Sequence, residues 1–289
     1  MSMVLTLLLQ MGSAARHLGG PRLGRPIRFA GFNHIESETM SGHSKWSTIK
    51  RQKGANDAKR GALFTKVGRE IAIAVRAGGP DPESNYRLRL AVDKARSVNM
   101  PADNIKRAID RAAGGDKADE IEEIVYEGYG PGGVAILVET ATDNRNRTAA
   151  GVRSIFAKSG GQLAGAGSVA WQFEPRGVVN VVRDDSDPDE IALLSIDAGA
   201  VDVDTEGDPL EIATEPADLL SVRTALESAG VKIDSAEMTM QAKTPIEIDV
   251  SKARQNLRLI EALEDNDDVQ RVTANFDLPD EILEEAAAS

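Results

Sequence analysis

The stretch GVVNVVRDDSDPDEIALLSIDAGAVDVDTEGDPLEIATEPADLLSVRTALESAGVKIDSAEMTMQAK, Gly177 to Lys243, decides the fold. GVVNVVRD reads as a strand. A helix follows, with Asp187 as its cap, Pro188 at the first helical position and Glu190 placed to close a capping box. AVDVDTE and PLEIAT read as short strands, EPADLLSVRTALESAG as a helix and VKIDSAEMTM as a strand. Strand, helix, strand, strand, helix, strand is the ferredoxin-like order.

Outward from that unit, residues 134–174 read as strand, helix, strand, and residues 251–276 as helix, strand. In the first part VAILVETAT is a buried strand, NRTAAGVRSIFAKSGG a helix and SVAWQFEP an alternating strand. The simplest layout is one α/β module, 118–175 plus 244–280, with the ferredoxin-like unit 176–243 inserted in it. Three consecutive small domains with a split sheet are the alternative. Ahead of these lie a basic arm and a three-helix bundle, residues 40–117. Phe64, Val67, Ile71 and Val75 mark one apolar stripe, Leu88, Val92 and Ala95 a second, and Ile105, Ala108, Ile109 and Ala112 a third. The expected class is α+β and multi-domain, with 281–289 as a tail.

Residues 1–39 are read separately. The apolar run Val4–Leu9 is preceded by no positive charge and is too short to span a bilayer. Arg16, Arg22, Arg25 and Arg28 with no acid before Glu36 resemble, weakly, a mitochondrial transit peptide, which would direct the protein to the matrix. The favoured expectation is a disordered extension or an upstream start, with the true start at Met40.

The chain has 289 residues, enough for two or three domains, and a net charge of -12. Aromatic residues are only 4%, so the cores should be aliphatic, and the absence of Cys excludes disulfides and thiolate metal sites. The charge is divided. Residues 40–111 hold about 16 Lys/Arg against about 7 Asp/Glu, roughly +9, whereas 177–289 hold about 8 against about 28, roughly -20. The first part suits a polyanion and the second would be repelled by one.

The basic stretch GHSKWSTIKRQKGANDAKRG, Gly42–Gly61, offers Lys45, Lys50, Arg51, Lys53, Lys59 and Arg60 to phosphates. Trp46 offers a face to a base or ribose, or else packs into the bundle. Lys66 and Arg69 extend the cationic surface along the first helix. In TDNRNRT, Arg145 and Arg147 stand at a strand-to-helix junction capped by Asp143 or Asn144; they reach phosphate or pair with acids of their own module. The glycines of YEGYGPGGVAILVE precede a strand rather than a helix, so a tight loop is expected and not a phosphate cradle. The acid clusters Asp184, Asp185, Asp187, Asp189 and Asp265, Asp267, Asp268 lack calcium-loop spacing and read as solvated surface. The three histidines, His17, His34 and His43, build no triad. No catalytic residue, metal site, cofactor, membrane contact or small-molecule substrate is expected.

Taken together and in order, GHSKWSTIKRQKGANDAKRGALFTKVGREI, NMPADNIKRAID, YEGYGPGGVAILVE, TDNRNRT and ANFD resemble the YebC/PmpR family, from about Met40 to about Pro279. Members usually begin at the residue matching Met40, so 1–39 lies outside the resemblance. The resemblance implies a helical bundle, an α/β domain and a ferredoxin-like domain inserted into it. It implies DNA-binding transcriptional regulators of the bacterial cytoplasm. A mitochondrial branch is the translational activator of cytochrome c oxidase subunit I, and bacterial members have been linked to the ribosome. The alternative is therefore a ribosome-associated translation factor binding ribosomal or transfer RNA. No helix-turn-helix signature is evident, and the aromatic string of an RNA-recognition motif is missing.

Overall fold

The structure is a computed structural model that describes residues 57–114, 121–184, 186–279, 281–283 and 285. The expectations for residues 1–39 and for most of the basic arm lie outside the described residues.

Three helices come first: α1 (Asp57–Gly78), α2 (Tyr86–Ser97) and α3 (Ala102–Ala113). The three apolar stripes converge on one core containing Val67, Ile71, Val75, Leu88, Val92, Ala95 and Ile105. Helix α1 stops because Gly79 takes a left-handed backbone, φ +89°, which a side chain resists. Asn85 then ties the first two helices together. Its side chain caps α2 by accepting from the Leu88 N–H at 3.1 Å, and donates to the carbonyls of Ala74 and Gly79 at 2.7 and 2.8 Å.

The first sheet has the order β3-β1-β2-β8, formed by β1 (Glu122–Tyr129), β2 (Ala135–Thr142), β3 (Gln162–Leu163) and β8 (Val269–Ala274). Strand β1 was not anticipated; it pairs antiparallel with β2 along its length, from Glu122↔Thr142 to Tyr129↔Ala135. The connection is a tight turn. The Gly133 N–H reaches the Gly130 carbonyl at 3.1 Å, with Pro131 and Gly132 (φ +86°) between, the residue pattern of a type II turn. Helices α4 (Arg145–Lys158) and α7 (Val250–Glu264) cover one face, over Ile136 and Val138. The other face of β2, Ala135 and Leu137, packs on Val169 and Phe173 with Met240 and Ala242 beside them. Burial on both sides explains the unbroken apolar run of this strand.

The second sheet is built from β4 (Phe173–Val181), β5 (Ala200–Asp204), β6 (Leu210–Thr214) and β7 (Ile233–Ala242), with α5 (Pro188–Asp197) and α6 (Leu219–Ser228) between them. Its order is β5-β6-β4-β7, all pairs antiparallel, which is the ferredoxin-like arrangement. Asp187 caps α5 through the Asp189 N–H at 3.0 Å, with Pro188 in the first turn. The unit lies in the chain between β3 and α7 of the first sheet. One expected strand is absent: SVAWQFEP is split into a 3-10 turn, Ala170–Gln172, and the start of β4, which continues through Pro175. Over Phe173–Arg176 that strand has β7 on one side and no neighbour on the other, so a missing N–H is tolerated.

Helix α2 also faces the inserted domain. Leu90 is buried in that domain's core with Val179, Ile212 and Leu226, and Tyr86 packs against the same cluster. Asp93 meets Arg223 of α6 at 2.8 Å. Beside them charges gather from all three parts. Lys94 lies 2.8 Å from Glu70 and 3.8 Å from Glu237, and Arg271 of β8 pairs with Glu237. Burial pushes the Glu139 carboxyl above its ordinary range. Arg271 and Lys94 pull it back; Glu123 and Glu237 push it further up.

Two outcomes are expected. Asn85→Ala removes a helix cap and two buried hydrogen bonds, and should cost about 2–4 kcal/mol by chemical denaturation. Because the folded state holds the Glu139 proton more tightly, the stability it lends is full below about pH 4, near the ordinary Glu value. It is lost as pH rises through the raised value. Glu139→Gln should therefore gain in melting temperature relative to wild type as pH rises towards neutrality. A difference that stays constant with pH would remove Glu139 from the account.

Candidate nucleic-acid interface

Of the eleven candidate residues, Lys45, Trp46, Lys50, Arg51 and Lys53 lie outside the described residues. Lys59 and Arg60 belong to the first turn of α1, so the helix starts inside the basic stretch; Arg60 is exposed. The other four divide three to one.

Lys66, Arg69 and Arg147 converge on the turn between α7 and β8. Lys66 Nζ donates to the Glu264 carbonyl and Arg69 Nη1 to the Asp267 carbonyl at 2.5 Å. Glu264 ends α7, whose last carbonyls have no helical partners, so Lys66 of the bundle caps a helix of the neighbouring domain while Arg69 ties down the turn that follows it. Burial pushes the Lys66 ammonium below the usual lysine range, against the pull of Glu264, Asp267 and Asp265.

Asp268 is the centre of this joint. Its carboxylate is 6% exposed and lies 3.0 Å from Arg69 and 2.9 Å from Arg147. It also accepts from the Thr148 hydroxyl at 2.7 Å, and Thr148 lies 2.7 Å from the Thr142 hydroxyl. Arg147 spans Asp268 and Asp143, the latter at 2.7 Å. These two carboxylates hold the guanidinium above its usual range. Asp268 is thus a buried ion-pair partner and not solvated surface, which corrects the reading of its cluster. No local signal marked it: its partners are Arg69, Arg147 and Thr148, all distant in sequence.

The two arginines of TDNRNRT therefore part company. Asn144 caps α4 by accepting from the Arg147 N–H at 3.0 Å, and the Arg147 side chain reaches the two acids. Arg145 is exposed and makes no ion pair among the described residues, and Arg153, also exposed, makes none.

A further cationic element was not singled out from the sequence. Helices α2 and α3 are joined by the four residues Val98–Pro101, with Asn99 left-handed at φ 59°. Helix α3 then presents Lys106, Arg107 and Arg111 to solvent, alongside Asp103 and Asp110. A short turn thus leads into a helix whose outer face is polar and exposed. The left-handed Asn99 in NMPADNIKRAID was the available signal. Among the described residues no cluster of His, Cys, Asp and Glu is disposed to hold a metal ion, and no helix is long and apolar enough to cross a membrane.

Comparison with known proteins is consistent across the chain. Residues 44–115 match the family model of the TACO1/YebC protein N-terminal domain, and residues 121–276 that of the TACO1/YebC second and third domain. A protein of Rubrobacter xylanophilus, called a probable transcriptional regulatory protein, is 55% identical over 249 residues, covering 86% of this chain and all of its own. One of Chloroflexus aggregans with the same description is 56% identical over 248 residues, covering 85% of this chain and 98% of its own. The crystal structure of a conserved hypothetical protein from Aquifex aeolicus superposes with a TM-score of 0.74 at 45% identity, covering 78% of this chain and 94% of that one.

Replacing Asp268 by Ala should expose the importance of the joint. Breaking a buried ion pair costs about 3–5 kcal/mol. Here Arg147 is half exposed and water takes up part of the loss, so about 2–3 kcal/mol is expected by denaturant unfolding. Hydrogen exchange should rise in α1 and in the first turn of α4 together. Faster exchange in only one of them would show that Asp268 does not couple the two.

Proposed function

Because the chain belongs to the TACO1/YebC family, we propose that it is a nucleic-acid-binding regulator of gene expression, of the DNA-binding transcriptional type. In this reading the basic arm and the bundle dock on phosphates. The observation that carries it is the segregation of charge. Residues 40–111 carry roughly +9 in a chain of net charge -12, so a polyanion is drawn to one part and kept off the other. With Lys66, Arg69 and Arg147 engaged at the joint, the contacts fall to Lys45, Lys50, Arg51, Lys53, Lys59, Arg60 and Arg145, with Trp46 as a stacking face. The exposed side chains of α3 would read a groove, and the arm would fix register through the backbone. The descriptions of the Rubrobacter and Chloroflexus relatives support a regulatory role. The reading requires neither catalysis nor a cofactor, and it places the protein in the bacterial cytoplasm.

The second reading is a ribosome-associated translation factor that binds ribosomal or transfer RNA. It is favoured by the ferredoxin-like order of the inserted sheet, an architecture shared with RNA-binding modules. Against it, the domain holding that sheet is the most acidic part of the chain, so RNA contact would not run through the face of that sheet.

Binding measured against salt tests the docking. Each phosphate neutralised adds about 0.9 to the log–log slope on duplex DNA and about 0.7 on single strands. Lys45→Ala, Arg51→Ala and Arg111→Ala should each weaken binding across unrelated sequences and flatten the slope by about that amount. Unchanged slopes for all three would remove the arm and α3 from the interface. Crosslinking in cells followed by sequencing of the attached nucleic acid separates the two readings: promoter DNA supports the first, ribosomal or transfer RNA the second.

A further inference from the structure

Trp171 is 68% exposed, an unusual position for the largest apolar side chain. It is not a loose side chain. Its Nε1 donates to the Ser168 carbonyl at 3.1 Å, and the Tyr129 hydroxyl donates to the same oxygen at 3.0 Å. Tyr129 is itself 37% exposed. Two aromatic rings thus have their polar edges anchored at one carbonyl, while the indole is left to solvent.

The backbone beneath them is clamped. Glu127, on β1 and 6% exposed, accepts from the N–H groups of Gly167, Val169 and Ala170 at 2.6, 2.6 and 2.8 Å. Burial works against its charge, yet these bonds hold the carboxyl below its ordinary range, so it stays ionised and keeps the loop in place. A buried carboxylate spent on three backbone donors gives the loop a rigidity that its composition, LAGAGSVA, would not supply.

With the Glu127 carboxylate turned inward onto three backbone N–H groups, the loop itself offers no charge to repel an anion. From Ser159 to Phe173 there is no charged residue, in a chain of which 28% is charged. Gly165 and Gly167 are exposed and open above their Cα atoms, so a sugar-phosphate backbone can approach. Lys243 is exposed, and its Nζ donates to the Trp171 carbonyl at 3.0 Å, which holds an ammonium at the backbone of the residue that carries the indole. An aromatic face, a nearby cation and a side-chain-free approach are the parts of a single-strand binding platform.

We propose that Trp171 and Tyr129 form a stacking platform for an unpaired nucleobase, with Lys243 beside it for the adjoining phosphate. This rests on the nucleic-acid reading above and adds a contact remote in sequence from the arm. Its consequence is a preference for unpaired segments over continuous duplex.

The test uses the full chain and end-labelled oligouridylate, oligothymidylate, an abasic strand of equal length and a duplex, with anisotropy measured at one salt concentration. Trp171→Ala should bind oligouridylate or oligothymidylate roughly 5- to 100-fold more weakly than wild type. Its affinity for the abasic strand and the duplex should be unchanged. Trp171→Phe should recover most of the loss, and thermal melting should show both variants as stable as wild type. A larger effect on the RNA strand identifies RNA as the source of the base, a larger effect on the DNA strand identifies DNA, and equal effects leave the platform serving both. Wild-type affinity of Trp171→Ala for both base-bearing strands overturns the platform while leaving the nucleic-acid reading intact, as does an equal loss on the abasic strand. Failure of the wild type to bind any of the four ligands overturns that reading, and the platform with it.

Discussion

The Asp268 carboxylate holds together segments that have no sequence proximity. It lies within ion-pair distance of Arg69 on α1 and Arg147 on α4, and it belongs to the turn that links α7 to β8. A carboxylate this buried is unfavourable without partners, and each arginine is placed by the helix that carries it. The relative setting of bundle and first sheet follows from satisfying that one charge. So does the division of labour among cations. Those facing the joint are engaged with carbonyls and carboxylates, whereas the cations of α3 and Arg145 face solvent.

A second junction works by different means. Between the bundle and the inserted domain, Leu90 enters an apolar core, and Lys94, Glu70, Glu237 and Arg271 form a partly buried charge cluster beside it. The apolar contact supplies most of the driving force, since desolvating the ions offsets much of their attraction. The ions restrict how the surfaces meet, because a shifted register would strand a charge. Glu139 shows the strain of this arrangement: it faces two other carboxylates as well as two cations, and its burial favours the neutral form.

The fold was largely legible because its signals are local. Asp187-Pro188 starts a helix whatever surrounds it, Gly79 ends one, and the apolar stripes of the bundle repeat at helical spacing. The ferredoxin-like strand order emerged from those pieces. Strand β1 escaped because EEIVYEGY shows an acidic start and a burial pattern without clean alternation, so only its pairing with β2 identifies it. SVAWQFEP misled for the opposite reason. Its residues favour a strand, but the bonds from Gly167, Val169 and Ala170 to Glu127, about 40 positions away, bend its beginning into a turn. The site was less legible than the fold. Arg145 and Arg147 look alike in sequence; Arg147 has a local acid four positions back in Asp143, but its buried partner, Asp268, lies more than a hundred positions away. Asp267 and Asp268 are neighbours of the same type; one is exposed and the other buried. Charge composition identifies a cationic region but not which of its members are already engaged.

The inserted domain enters and leaves through strands that run side by side. Phe173 on β4 pairs with Ala242 on β7, and just outside them the Lys243 N–H donates to the Gln172 carbonyl at 2.9 Å. Both ends of a unit of some seventy residues therefore emerge at one spot, about one interstrand spacing apart. In chain connectivity the guest is a gap that a hairpin turn would fill, and the face contacts to be preserved are those of Met240 and Ala242 on β2 and of Glu237 on Arg271. A lineage can acquire, exchange or discard such a unit in one recombination step without re-threading the scaffold, and a laboratory can graft a foreign module at the same seam.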